Sequence, residues 1–129
     1  MTYVIDTHVL VWFAEGDSRL STKAKDALAD KSVQIVVLTM VLAEVWHLCS
    51  VKRINTSVQD LYRDILVSAN CRVHPLDEEI IDYLPEHLNI HDAIITATAI
   101  FYRDVLKQDV KLITKDKMIH ASKLVDVLW

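Results

Sequence analysis

Thr2-Tyr3-Val4-Ile5-Asp6, near the beginning of the chain, joins four β-branched or aromatic residues to an aspartate. Such a run predicts a short buried strand over Thr2 to Ile5, with the acid directly at its carboxyl end. A helical pattern over His8 to Ala14 follows at once. A strand that leads straight into a helix is typical of α/β proteins. Asp6 is therefore well placed for function, because ligands of α/β sheets bind just beyond the carboxyl ends of the strands.

The same alternation of strands and helices continues along the chain. Further strands are predicted at residues 34–38, 71–74, 110–113 and 125–128. Helices are predicted at residues 21–30, 40–53, 57–69, 77–84 and 91–106, with a helical turn after Asp116. The predicted N-caps are Ser21, Thr39, Asp77 and a capping box of Ser57 with Asp60. The sequence thus predicts an α/β fold whose central parallel sheet is flanked by helices on both faces.

The length of the chain, 129 residues without a linker or repeat, predicts a single domain over residues 1–129. Hydrophobic residues make up 52% of the chain, slightly above the usual share. Because large apolar patches are rare on monomers, this surplus favours a homodimer. The net charge of -4 argues against binding nucleic acid by bulk charge, so any such contact must be local.

Composition also excludes several classes of protein. Gly16 is the only glycine, whereas the dinucleotide-binding, Walker A and nucleophile-elbow motifs each need at least two. The longest apolar stretch, residues 35–43, is shorter than the roughly 20 residues that cross a bilayer. Cys49 and Cys71 lack the spacing of a zinc or redox site. Since the N-terminus has no signal-peptide pattern, we expect a cytoplasmic protein with reduced cysteines.

Four acidic residues are candidates for one site. Asp6 directly follows the first strand, and Glu44 lies about one turn into the helix after the second. Asp116 closely follows the strand that ends near Ile113, and Asp92 opens the long helix. Because the carboxyl ends of parallel strands share one edge of a sheet, these acids are expected to converge. The alternative interpretation of Asp92 is a plain helix cap, and that of Asp116 is a turn residue.

Four converging carboxylates repel one another, and a bound hard cation is the usual compensation. Mg²⁺ or Mn²⁺ suits a site of oxygen ligands that lacks an ordered cysteine or histidine pattern. The chemistry that uses such a site is phosphodiester hydrolysis, in which one metal activates water and a second stabilises the leaving oxygen. The sequence leaves open whether one or two metals act.

The order and spacing of four segments carry a family resemblance. They are Val4-Ile5-Asp6-Thr7-His8-Val9-Leu10-Val11-Trp12, Thr39 with Glu44, Asp92-Ala93-Ile94-Ile95-Thr96-Ala97-Thr98-Ala99 and Leu112-Ile113-Thr114-Lys115-Asp116. In this arrangement the whole chain resembles a PIN domain. In detail it is similar to the VapC-like ribonuclease toxins of toxin–antitoxin pairs.

This resemblance implies a cytoplasmic endoribonuclease that depends on Mg²⁺ or Mn²⁺. It also implies a homodimer, an RNA substrate and a cognate antitoxin that docks near the active site. The residues that the resemblance makes catalytic and metal-binding are Asp6, Glu44, Asp92 and Asp116. His91 and Ala93 flank the third acid, where similar proteins often carry a proline and an arginine.

Neighbouring residues are expected to support the site. Thr39 and Thr114 match positions whose hydroxyl groups bind a ligand or a metal-bound water in proteins of this family. Lys115 and Lys117 flank the fourth acid and are candidate RNA contacts, with exposed turn lysines as the alternative. His8 is expected to line the pocket.

For the tryptophans and two further histidines, roles outside the catalytic site are the favoured interpretation. The tryptophans are expected in the core or in a dimer seam. His87 and His91 are spaced for a shared metal, but surface histidines are the favoured interpretation.

Other functions compete with a toxin ribonuclease. A stand-alone PIN nuclease, acting in RNA processing or on DNA, would use the same acids, because metal-assisted hydrolysis does not itself need the 2′-hydroxyl group. A PIN scaffold that serves only as a binding module would not need all four acidic residues. A haloacid-dehalogenase-like phosphatase needs a second aspartate where this chain has His8, and a phosphoacceptor receiver needs paired acids near its first strand.

Overall fold

Five strands form the sheet at the centre of the protein, in a computed structural model that describes residues 1–129. The strands are β1 (Thr2–Ile5), β2 (Gln34–Leu38), β3 (Cys71–His74), β4 (Val110–Ile113) and β5 (Val127–Leu128). Their order across the sheet is β3-β2-β1-β4-β5, and every pairing is parallel. The predicted α/β class with a central parallel sheet is therefore confirmed.

Register aligns the carboxyl ends of the central strands. Val4 of β1 pairs with Val36 of β2, and Ile5 pairs with Ile113 of β4. The residues that follow these strands therefore emerge side by side at one edge of the sheet, and this is the edge where ligands of parallel sheets bind.

Seven α-helices connect and cover the strands. They are α1 (Thr7–Glu15), α2 (Thr22–Ala29), α3 (Thr39–Ser50), α4 (Val58–Leu61), α5 (Glu78–Ile81), α6 (Ile90–Asp104) and α7 (Lys117–Ser122). A π-helical segment, Tyr62–Leu66, continues α4. Consecutive residues of β2 such as Val36 and Val37 point to opposite faces and are both fully buried, so helices cover the sheet on both sides. None of the helices has the length and apolarity needed to span a membrane.

Most of the predicted helix caps are confirmed. Ser21 and Asp77 accept hydrogen bonds from the first turns of α2 and α5, and Ser57 forms the predicted capping box with Asp60. The prediction for Thr39 is wrong, because Leu38 is the N-cap of α3 and no side chain caps that helix. Gly16 ends α1 in the left-handed conformation, with φ 64°, which a residue without Cβ adopts at little cost.

Several predicted boundaries differ from the structure. Helix α3 ends at Ser50 rather than near Arg53, because the chain reverses at Lys52, whose φ is 60°. The helix that begins at Val58 ends near Leu66 instead of Ala69, and Tyr62, at the start of its π-helical turn, is 52% exposed. Extra residues in a π-turn shift the register of the buried face.

Helix α6 is anchored in the hydrophobic core. It buries nine residues, and six of these, including Phe101 and Tyr102, belong to the one cluster of 30 buried residues. The Tyr102 hydroxyl lies 2.9 Å from Nδ1 of His74, at the end of β3. Because this packing fixes the axis of the helix, it also fixes the position of its first turn at the sheet edge.

Candidate active site

A cleft of about 530 Å³ opens at the carboxyl edge of the sheet. It is lined by twelve residues, of which only two are hydrophobic: Asp6, Thr7, His8, Trp12, Arg19, Glu44, Asn89, His91, Asp92, Ile95, Lys115 and Asp116. All four predicted acids are among them. They come from four separate segments of the chain, so the fold brings together residues that are far apart in sequence. We call this the acidic cleft.

Asp6 lies between β1 and α1 and is held by two hydrogen bonds. Its Oδ1 accepts from the Val9 amide at 2.9 Å, which makes Asp6 the N-cap of α1. Its Oδ2 accepts from the Thr114 hydroxyl at 2.5 Å. Burial raises the pKa of Asp6, an effect that the bonds from Thr114 and Val9 partly offset and the nearby charge of Asp116 reinforces.

Thr114 connects Asp6 with Asp116. Its side chain is fully buried, and its Oγ1 also accepts a hydrogen bond from the Asp116 amide at 3.0 Å. The Oδ1 of Asp116 caps α7 by accepting from the amides of Met118 and Ile119. One hydroxyl group thus fixes the carboxylate of Asp6 and the backbone of Asp116 in relation to each other.

Asp92 lies in the first turn of α6 but does not cap it. Asn89 is the N-cap, and its side-chain oxygen accepts from the Asp92 amide at 3.0 Å. The amide group of Asn89 then donates to Oδ2 of Asp92 at 2.7 Å. The alternative interpretation of Asp92 as the cap is therefore wrong. Burial raises the pKa of Asp92, and the charges of Asp116 and Glu44 raise it further.

Glu44 projects from α3 toward the same cleft, and both of its oxygens have partners. Oε1 accepts from the Thr7 hydroxyl at 3.0 Å. Oε2 lies 3.2 Å from Nδ1 of His91. Although 57% of the His91 side chain is exposed, as expected for a surface histidine, its contact with Glu44 was not predicted from the sequence.

Two of the candidate supporting residues lie outside the acidic cleft. Thr39 is exposed, and its hydroxyl accepts from the Leu76 amide at 3.1 Å, so the structure does not bring it to the acids. Lys117 is exposed at the start of α7 and does not line the cleft. Lys115 does line it, with its amine 6.0 Å from the centre of the Trp12 ring. His8 lines the cleft as expected.

The tryptophans occupy two different environments. Trp12 is 8% exposed and borders the acidic cleft, and the Trp129 ring lies 6.0 Å from it. Trp46, in contrast, is 66% exposed on α3. It therefore has no place in the core.

Arg19 lines the cleft but was not predicted from the sequence. It lies in the loop before α2, a segment with no periodic pattern, and it reaches the cleft because of its contacts with Asp17 and Trp12. Asn89 was missed for a different reason. The helix was predicted to begin at His91, two residues too late to include its cap.

The chemistry of these side chains suits a hard cation better than a soft one. The charged ligands available are carboxylate oxygens, and no cysteine lines the acidic cleft. Oδ1 of Asp92 and Oδ2 of Asp116 accept no hydrogen bond within the protein. However, no three His, Cys, Asp or Glu side chains are grouped closely enough to form a ready metal site. The cleft therefore offers suitable donors without a preformed coordination shell.

Comparisons with known proteins agree with the geometry of the fold. The structure is similar to a chain of VapBC2 from Rickettsia felis, solved bound to a DNA fragment from their promoter, with a TM-score of 0.67 and 15% identity over 99% of this chain and 98% of that one. It is also similar to a chain of a toxin-antitoxin complex from Klebsiella pneumoniae, with a TM-score of 0.63 and 21% identity over 98% and 96% of the two chains. No curated protein matches the sequence significantly.

The family model of the PIN domain matches residues 3–123, which include β2, β3, β4, all of β1 but its first residue, and all four acids of the cleft. Because this match covers nearly the whole chain, the protein belongs to the PIN domain family.

Proposed function

We propose that this PIN domain is a metal-dependent endoribonuclease of the VapC type, the toxin of a type II toxin–antitoxin pair. PIN domains are generally nucleases. The observation that carries the proposal is the acidic cleft itself, where carboxylates from four segments of the chain face one open space. Such mutual repulsion is tolerated in folds where a cation offsets it.

In this proposal the four acids hold Mg²⁺ or Mn²⁺. The raised pKa values of Asp6 and Asp92 support it, because they indicate that the protein alone does not fully compensate these negative charges. When bound, the cation supplies an activated water and stabilises the charge that develops during hydrolysis of a phosphodiester.

The side chains of the cleft have distinct tasks in this reaction. Asp6 and Asp116 are held by helix-cap bonds, so they act as fixed ligands, whereas Glu44 is oriented by its side-chain contacts with Thr7 and His91. Lys115, at the rim, supplies a positive charge for a phosphate group of the RNA. Lys117, exposed at the start of α7 and outside the cleft, is a candidate contact for a more distant phosphate.

We expect the protein to cleave single-stranded or loop RNA in Mg²⁺ or Mn²⁺, and we expect EDTA to abolish the cleavage. The reason is that four carboxylates line the cleft, and a cation held by such oxygen ligands can activate the attacking water. The measurement is a gel assay of labelled RNA with metal, with EDTA, and with metal restored after EDTA. Cleavage that persists undiminished in excess EDTA would contradict the metal mechanism.

The same assay separates the competing functions when DNA of the same sequence is included. Equal cleavage of the two strands would favour a nuclease that does not distinguish RNA from DNA. Binding of RNA with no cleavage of either strand in any divalent metal would favour a non-catalytic binding module. A neighbouring gene for a small DNA-binding protein would support the toxin role, because both similar solved structures include toxin–antitoxin partners.

We also propose that the protein is a homodimer. Twelve large hydrophobic side chains are exposed, and Trp46 is the largest of them. Tryptophan contributes strongly to protein interfaces when it is buried there. Trp46 lies two residues from Glu44 on α3, so its side chain leaves the helix on a different face from the one that reaches the cleft.

Trp46→Glu is expected to weaken the dimer by at least about tenfold, because it replaces a candidate interface anchor with a charge. The measurement is light scattering across a range of protein concentrations. Val67→Glu is the control, since Val67 is 75% exposed but follows the π-helical segment instead of lying on α3. A monomeric wild-type protein at micromolar concentration would remove the proposal.

A further inference from the structure

A second cleft, of about 580 Å³, adjoins the acidic cleft. The two share His8, Trp12 and Arg19. From there the second cleft follows α1 as far as Glu15, a distance of roughly 10 Å at the rise of an α-helix. Its opposite wall is formed by the end of α3 and the residues after it: Leu48, Lys52, Arg53, Ile54 and Asn55. We call it the basic cleft, after Arg19, Lys52 and Arg53.

Arg19 is held at the junction of the two clefts. Its Nε and Nη2 donate to the two carboxylate oxygens of Asp17, at 3.1 and 2.7 Å, and its backbone amide donates to Asp17 as well. Its guanidinium carbon lies 5.1 Å from the centre of the Trp12 ring. Because the Nη1 group makes no hydrogen bond within the protein, Arg19 has donors that are free and already oriented.

Lys52 and Arg53 provide charge that the protein does not neutralise. Neither side chain has a carboxylate within salt-bridge distance, whereas Arg63 and Arg103 each pair with an aspartate. Both residues are exposed and immediately follow α3. Bonds from the amides of Lys52 and Arg53 to carbonyl oxygens of α3 fix the backbone of this turn. Both residues therefore start from a fixed stretch of backbone at the wall of the basic cleft.

The two clefts differ in the sign of the charges that line them. The acidic cleft contains four carboxylates, whereas the basic cleft contains three basic residues and two acids, one of which, Asp17, is already paired with Arg19. In a chain whose net charge is -4, this is a local surplus of positive charge directly beside the acids. A polyanion that reaches the acidic cleft gains most by continuing into the basic one.

We propose that the basic cleft binds the sugar-phosphate backbone of the RNA strand on one side of the bond that lies in the acidic cleft. Its length along α1 accommodates two or three nucleotides, at about 3.4 Å per nucleotide of a stacked strand. Arg19 contacts the phosphate nearest the acids, and Lys52 and Arg53 contact the next ones. This inference rests on the proposed function, because it names the path of the substrate into that site.

Lys52→Gly is a suitable variant because it removes a positive charge and is not expected to destabilise the fold. The φ of 60° at Lys52 favours glycine. The melting temperature of the variant protein is therefore expected to equal or exceed that of the wild type. Lys107→Gly is the matched control. Lys107 has a φ of 56° and is also exposed, but it follows the far end of α6, roughly 20 Å of helix from Asp92.

The test measures the binding of a labelled single-stranded RNA of about 12 nucleotides by fluorescence anisotropy, in EDTA so that binding is read without cleavage. Lys52→Gly combined with Arg53→Gln is expected to weaken binding about tenfold or more. The slope of log affinity against log salt should fall by roughly 1.4, since each phosphate contact on a single strand contributes about 0.7. In Mn²⁺ the double variant should also show a higher KM for this RNA. Lys107→Gly should match the wild type throughout.

Three results would overturn the basic cleft as an RNA site. In the first, the double variant binds RNA with wild-type affinity and salt slope. In the second, Lys107→Gly weakens binding as much as Lys52→Gly does, which would indicate a bulk charge effect. In the third, polyglutamate displaces the RNA as well as unlabelled RNA does, which would indicate a site for an acidic protein segment. A wild-type protein that cleaves no RNA in Mg²⁺ or Mn²⁺ would instead overturn the proposed function. The binding data, measured in EDTA, would still decide whether the basic cleft binds RNA.

Discussion

Asp92→Asn is expected to lower RNA cleavage by orders of magnitude while the metal-free protein keeps or gains stability. In the proposed site Asp92 is a cation ligand, and its Oδ1 accepts no hydrogen bond within the protein. Asparagine has nearly the same size and can still accept from Asn89, so the first turn of α6 should persist. The loss of a negative ligand should misplace or release the cation.

The stability of Asp92→Asn follows from the direction of the pKa shift. The pKa of Asp92 is raised, so the folded protein holds the proton of this carboxyl more tightly than the unfolded chain does. The folded state is therefore favoured at low pH, and this advantage is lost as pH rises through the raised pKa. At neutral pH the charge opposes folding, and its removal should hold or raise the free energy of unfolding. Added Mg²⁺ should stabilise the variant less than the wild type.

Asp60→Asn is the matched control for this substitution. Asp60 also lies in the first turn of a helix and accepts a hydrogen bond from the N-cap residue, in this case Ser57. The bonds from Ser57 lower the pKa of Asp60, so its neutralisation should reduce stability at neutral pH, opposite in sign to Asp92→Asn. Cleavage should be unaffected. If Asp92→Asn cleaves RNA at nearly the wild-type rate with an unchanged Mg²⁺ response, the four-acid site is wrong.

The strands were predictable from sequence because their residues are buried on both faces. A run such as Gln34–Leu38 has four consecutive buried residues, which leaves a continuous apolar signal of strand length. The helix N-termini were predictable where a side chain caps them, as at Ser21 and Asp77. The start of α3 was not, because its N-cap Leu38 belongs to the buried strand and carries no capping oxygen.

The helix ends were harder to predict because this chain has almost no glycine. Lys52, Lys107 and Lys123 adopt the left-handed conformation at which a helix commonly ends with glycine. Lysine, unlike glycine, does not indicate a helix end in a sequence. At Lys52 it favoured the prediction of a longer helix. The shape of the backbone there is set by tertiary contacts rather than by local preference.

The convergence of the four acids was predictable, whereas their partners were not. Parallel strands deliver Asp6 and Asp116 to one edge by topology alone, without any detail of packing. The contact of His91 with Glu44 depends on the position of α6 relative to α3, and that of Arg19 depends on a loop. Such contacts depend on the distances between helices, strands and loops. A pattern of residue types does not contain these distances.

Thr114→Val is expected both to destabilise the protein and to reduce cleavage, even though Thr114 is a threonine buried among apolar strand residues. Valine has the same shape but no hydroxyl group. The substitution leaves Oδ2 of Asp6 and the Asp116 amide without their shared partner. Loss of a partner from a buried polar group costs roughly 1–3 kcal/mol. Because the hydroxyl positions two of the proposed metal ligands, cleavage should fall about 10- to 100-fold, as is typical when an outer partner of a metal ligand is removed.

The pKa of Asp6 distinguishes this positioning role from a simple loss of packing. The bond from Thr114 lowers that pKa against the effect of burial, so Thr114→Val should raise it further. An NMR titration of the Asp6 carboxyl carbon measures the change, and the Mn²⁺ concentration needed for half-maximal cleavage should rise in parallel. Thr114→Ser retains the hydroxyl group and loses only a methyl group, so it should lose some stability but keep the wild-type Asp6 pKa and Mn²⁺ requirement. If Thr114→Ser and Thr114→Val lose cleavage equally, then packing rather than the hydroxyl bridge maintains the site.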